Sequence, residues 1–278
     1  VSITGPFCLT LIMFELSEPV ERGRLRQLLG REFYIGKRKF HWMTGGQNWA
    51  RQREAPSVVH QKFTHRSLIL RPLRGVDLEL QHNKRRNLEL AIARIDQVVI
   101  APGETLSVWK LVGRPTRRKG YLEGLVLKQG TIATGVGGGL CQLGNLLFWI
   151  AAHSPLTISE RWRHGFDVFP DLNRSIPFGA GATLAYNYVD LQLTNRTQDS
   201  FLIRLWLDET HLNGSLFCDA DYSSIFRIEE RHHQIKQQIW GGYSRHNQIY
   251  QIRHEPDGRL TEQLLVENHA IMMYEPLL

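Results

Sequence analysis

Apolar residues recur along this chain with two periods, and the change from one to the other divides it into a helical half and a strand half. Leu25, Leu28, Leu29 and Phe33 lie at helical spacing with arginines between them, so residues 19–40 predict a basic amphipathic helix. A short strand is expected within Phe63–Leu73. Leu88, Ile92, Ile95 and Val99 share one face, which predicts a helix over 83–99 that Asn83 caps and Pro102-Gly103 stops. Thr105–Val112 alternates and reads as a strand, as does Tyr121–Leu127. Residues 140–152 are apolar nearly all round and predict a central buried helix ended by Pro155, with a strand candidate at Leu156–Arg161. From Ala182 onward the period is two: Val189, Leu191 and Leu193, then Phe201, Ile203, Leu205 and Leu207. Asn213-Gly214 and Asp257-Gly258 are hairpin signals. No internal repeat is present. The expected fold is α+β, with an N-terminal basic helical extension over 1–82 and an α+β domain over 83–278 whose C-terminal half is antiparallel sheet.

Composition narrows the partners. An apolar fraction of 42% over 278 residues is enough for a real core. The net charge of +7 favours anionic partners. Much of it falls at Arg22, Arg24, Arg26, Arg31, Lys37, Arg38 and Lys39, with a second cluster at Arg117-Arg118-Lys119. No paired Cys/His spacing and no aromatic RNA-binding strand accompany these charges, so no nucleic-acid partner is expected. They read either as a solvated face or, for residues 19–40, as a helix lying on anionic lipid.

The cysteines are Cys8, Cys141 and Cys218. An odd, sparse set argues against a disulfide framework, and its spacing fits no zinc site. Neither metal nor cofactor is expected. Val1–Phe14 is an apolar run too short to span a membrane and without a basic flank. The first methionine is Met13; with an ordinary start there, residues 1–12 read as upstream sequence or as not belonging to the native protein. The expected location is cytoplasmic, with peripheral membrane contact as the variant; nothing in the pattern sets the oligomeric state.

The chemistry-bearing stretch is Gly137-Gly138-Gly139-Leu140-Cys141-Gln142. Consecutive glycines suit a backbone that turns sharply or approaches a ligand closely. The cysteine follows at the start of the buried helix, where free N–H groups and the helix dipole favour a thiolate. The same N–H groups could hold an oxyanion, with the Gln142 amide as a further donor. His153 lies at the far end of that helix, roughly 18 Å away at 1.5 Å per residue, and is a helix cap rather than a base. His164 can return beside the helix start, with Glu160, Asp167 or Asp190 to orient it. Cysteine on a helix, then histidine, then a carboxylate is the order used by papain-like and transglutaminase-like enzymes. The structural alternative is an inert buried thiol beside glycines that let elements pack. The glycine loop lacks the Lys-Ser/Thr of a P-loop and the spacing of a dinucleotide site.

Residues 83–215 resemble the VanW family. The blocks that carry this are Pro102-Gly103-Glu104 with Ser107 and Trp109, Gly120-Tyr121 with Gly124, and Gly137–Leu143 with Asn145, Leu147 and Phe148. His153-Ser154-Pro155-Leu156, Glu160-Arg161 with His164, Asp190-Leu191, Asn195 and Asn213-Gly214 follow in order. One departure is Gly181-Ala182-Thr183-Leu184, where the family usually begins with an acid. The resemblance implies a link to peptidoglycan precursors and glycopeptide resistance. The expectation built on it is acyl chemistry, with Cys141 as nucleophile, His164 as base and Asp190 as orienting group. Gly137, Gly138, Gly139, Gln142 and Glu160 would bind a peptidoglycan-precursor peptide. The alternatives are a peptide-binding module without turnover and a peripheral membrane scaffold.

Overall fold

A computed structural model describes residues 23–53, 57–70, 78–128, 130–168, 176–186 and 189–276. The apolar run Val1–Phe14 and Cys8 lie outside the described residues. In chain order the elements are α1 (Arg24–Thr44), β1 (His60–Leu68), α2 (Leu78–Ile95), β2 (Val99–Ile100), β3 (Thr105–Ser107), α3 (Val108–Val112), β4 (Glu123–Lys128) and β5 (Thr131–Val136). They continue with α4 (Cys141–Ala152), β6 (Thr157–Glu160), β7 (Phe166–Asp167), β8 (Gln192–Thr194), β9 (Phe201–Leu207), β10 (His211–Cys218), β11 (Ile225–Gln237), β12 (Tyr243–His254) and β13 (Leu260–Met272). The class is α+β.

The strands form antiparallel sheets in the orders β1-β10-β9-β2, β3-β8-β6 and β4-β5, and a further sheet β11-β12-β13-β7 in which β7 runs parallel to β13. Helix α4 is the centre. Its Leu143, Leu146, Leu147, Phe148 and Ile150 are buried, and it packs on β1 and β10. Each such side chain contributes about 1.5–3 kcal/mol by leaving water. Gly214 permits that contact, because a Cβ there would lie 2.8 Å from Ile150 Cδ1 and 3.0 Å from Leu146 Cδ2. Asn213-Gly214 is therefore strand interior rather than a turn. The β9–β10 turn falls instead at Asp208, whose carboxylate accepts from the N–H groups of Thr210 and His211.

Other sequence expectations shift for identifiable reasons. Thr105–Val112 is a strand only to Ser107, whose hydroxyl accepts the Lys110 N–H at 3.1 Å and starts α3. Local capping there overrides the alternation. Helix α2 begins at Leu78, so Asn83 lies inside it rather than at its cap. The 82/83 boundary also falls inside α2, and β1, from the expected extension, hydrogen-bonds to β10 along its length. Asp257-Gly258 does turn the chain between β12 and β13, with Gly258 at φ 83°.

Candidate functional site

The glycine turn is a packing device. Asn87, fully buried on α2, donates to the carbonyls of Leu122 (3.0 Å) and Gly138 (2.9 Å) and accepts the Leu122 N–H at 2.8 Å. This pulls the turn onto the start of β4. A Cβ on Gly138 would lie 2.1 Å from the carbonyl carbon of Gly124. Gly137 and Gly139 hold φ of 80° and 89°, and Cβ atoms there would collide with Pro115 and Lys84. The amides are also spent. Gly137 N donates to Leu122 O at 2.9 Å, Gly138 N to Gly135 O at 3.0 Å and Gly139 N to Leu125 O at 2.9 Å. Gln142 N turns back to Gly139 O at 3.1 Å. In this arrangement, these donors are committed within the protein rather than presented to an oxyanion.

Cys141 opens α4, half-buried, as its place in the sequence suggests. Its sulfur lies against one backbone unit. The Leu184 N–H donates to Sγ at 3.4 Å, and the thiol donates to Leu184 O at 3.6 Å. Burial pushes the thiol pKa up; the N–H groups of Leu184 and Cys141 oppose this without overcoming it. One turn further along α4, Asn145 Oδ1 accepts the Ala182 N–H at 2.9 Å. A Cβ on Gly144 would meet Leu184 Cγ at 2.9 Å, and one on Gly181 would meet Asn145 Oδ1 at 2.3 Å. Cys141, Gly144 and Asn145 thus clasp the segment Gly181–Leu184 along one face of the helix.

The His164 backbone lies beside that segment. Its N–H donates to Thr183 Oγ1 at 2.9 Å, while Thr183 N donates to Trp162 O at 2.8 Å. Burial, and then the neighbouring Arg163 charge, lower the imidazole pKa. Among the described residues no hydrogen bond joins the His164 ring to Cys141. Asp190 is turned elsewhere. Its carboxylate accepts from Ser107 Oγ (2.5 Å), Trp109 N (3.1 Å) and Leu191 N (2.9 Å), bracing the start of α3. Burial raises its pKa to about 6 despite those donors. The structure therefore brings Cys141 and His164 to one segment and places the Asp190 carboxylate at α3, without a hydrogen bond to His164.

The expected substrate-binding side chains are engaged internally as well. Gln142 Nε2 donates to Ser67 Oγ at 2.8 Å and Leu68 O at 3.0 Å, tying α4 to the end of β1. Glu160 receives both Arg38 amino groups at 2.6 and 2.7 Å, Gln192 Nε2 at 2.8 Å and Trp162 Nε1 at 2.9 Å. His153 ends α4 as a cap and stacks on Phe63 at 4.1 Å between ring centroids.

Two residues that organise this region, Asn87 and Arg161, carry no assigned role in the sequence pattern. Asn87 was visible only as a polar residue on an otherwise apolar helix face. Arg161 donates to Gly179 O (2.6 Å), Gly181 O (2.9 Å) and Asn268 Oδ1 (2.9 Å), so it joins the clasped segment to β13. Burial brings its guanidinium pKa down to about 9. The hollow beside the clasp, lined by Ala91, Val108, Trp109, Val112, Leu140, Leu143 and Leu184, has no room for a water molecule. It is apolar throughout and too small for a ligand. Among the described residues no group of three or more His, Cys, Asp or Glu side chains could hold a metal ion. No described helix is long and apolar enough to cross a membrane.

Fold and site together define an α+β protein assembled around a glycine turn and a cysteine-bearing buried helix. Residues 83–217 match the model of the VanW like protein family, so this segment is a VanW-like domain. It is 36% identical over 169 residues to the Vancomycin B-type resistance protein VanW of Enterococcus faecalis, a match covering 61% of this chain and 62% of that protein. It is 35% identical over 127 residues to the uncharacterized protein YoaR of Bacillus subtilis, covering 44% of this chain and 39% of that one. The chain thus spans less than two thirds of the length of either relative. No solved structure matches it.

Proposed function

We propose that the protein serves glycopeptide resistance as an accessory that recognises a peptidoglycan-precursor peptide without covalent chemistry. Support for the resistance link comes from the relative that bears vancomycin resistance in its name. The non-covalent half rests on one observation: the Cys141 sulfur is held against the Leu184 backbone, 3.4 Å from its nitrogen and 3.6 Å from its oxygen, where burial favours the neutral thiol. The committed glycine amides and the position of Asp190 agree with it.

The test is calorimetric titration of the protein, wild type and Cys141→Ser, with a soluble peptidoglycan stem peptide, followed by mass analysis of the recovered peptide. Binding that survives the substitution, with the peptide intact, is expected. Absence of binding would overturn the recognition reading. A shortened or transferred peptide produced by wild type and not by Cys141→Ser would instead restore Cys141 as nucleophile, with His164 as its base.

A further inference from the structure

Helix α1 carries a face that the other described residues do not cover. It is fastened to the body by buried Ile35, by Trp42 packed on the core and by the Arg38–Glu160 and Glu32–Arg114 pairs. Beside that seam runs a second apolar stripe. Leu25 is 71% exposed, Leu29 64%, Phe33 66%, Phe40 63% and Met43 78%. At 100° per residue these positions fall within about a quarter-turn of one another, along a helix of 21 residues, or about 30 Å. Large apolar side chains scattered singly on a surface need no explanation, but a continuous stripe does.

The charges beside the stripe indicate what covers it. Arg26, Lys37 and Lys39 are exposed beside it. The only acid in the helix sequence is Glu32, and it is paired with Arg114 at 2.8 Å and with Arg31 at 3.3 Å. A second copy of this face would bring cations against cations. We infer that α1 is an interfacial helix that seats its apolar stripe at the headgroup boundary of an anionic lipid surface, with Arg26, Lys37 and Lys39 on the headgroups. This docking is independent of how Cys141 behaves. It would hold the α+β body at a membrane face.

The full chain should co-sediment with vesicles of phosphatidylcholine and phosphatidylglycerol, and much less with phosphatidylcholine alone. Added salt should weaken the binding. The double substitution Leu29→Glu, Phe33→Glu places charge on exposed positions and should abolish it while leaving the circular dichroism unchanged. Lys37→Glu and Lys39→Glu provide a milder series, each losing at least about fivefold in affinity. The inference is overturned if anionic vesicles fail to bind at low salt or if the variants bind like wild type. It is also overturned if the stripe proves to mediate self-association, seen by ultracentrifugation and removed by the double substitution.

Discussion

At Cys141 two opposing effects meet on one sulfur. The first turn of a helix favours an anion by typically 0.3–1 kcal/mol at the surface and up to about 2 kcal/mol in partly buried geometries. Desolvation acts against it and is the larger effect here, so the thiol pKa rises. A glycine-rich turn ahead of a cysteine is legible in sequence; whether its amides point at a ligand or at the protein's own carbonyls is not. Asp190 is a second residue where burial exceeds hydrogen bonding. Its pKa rises from 3.8 to about 6, so the folded protein binds that proton more tightly than the unfolded chain. Its contribution is most favourable below about pH 4 and is lost as pH rises through 6, a term of order 3 kcal/mol at 1.36 kcal/mol per pKa unit. Urea unfolding of wild type and Asp190→Asn across pH 4 to 7 should show this slope in wild type and its absence in the variant. Parallel profiles would contradict the assignment.

Among the elements, those carrying a long clean period were legible. Helix α4 and strand β9 lie where their apolar spacing puts them, because a buried face leaves its period in the sequence. Short elements set by side-chain caps were not. Ser107 and Asp190 turn an alternating stretch into α3 through a contact spanning 83 residues. Strand β11 was hidden because it is exposed on both faces over most of its length, so no alternation marks it. The clasp joins Cys141 to Leu184, 43 residues apart, and local pattern is silent about such pairings. The glycine turn supplies the prediction at this scale. Gly138→Ala drives a methyl into the Gly124 backbone, which cannot yield as a flexible side chain would. It should cost about 3 kcal/mol or more by denaturant unfolding. Gly30→Ala, at an open position on α1, is the control and should be neutral or slightly stabilising.

For the whole molecule, α1 is joined to the body by few contacts, and the Arg38–Glu160 pair is one of them. Both side chains are largely buried and the pair is two-pronged, so its loss should cost more than an exposed ion pair, about 1–3 kcal/mol. In Arg38→Ala, amide exchange should rise across α1 while α4 keeps its protection; a uniform rise across both would contradict this division. The reading of the Cys141 site depends on the state of one sulfur. Alkylation of the native protein by iodoacetamide over a range of pH, followed at Cys141 by peptide mass analysis, reads that state directly. The result expected is slow labelling with a midpoint above that of a free thiol. Rapid labelling with a midpoint near or below neutrality would show an activated thiolate and contradict the clasp.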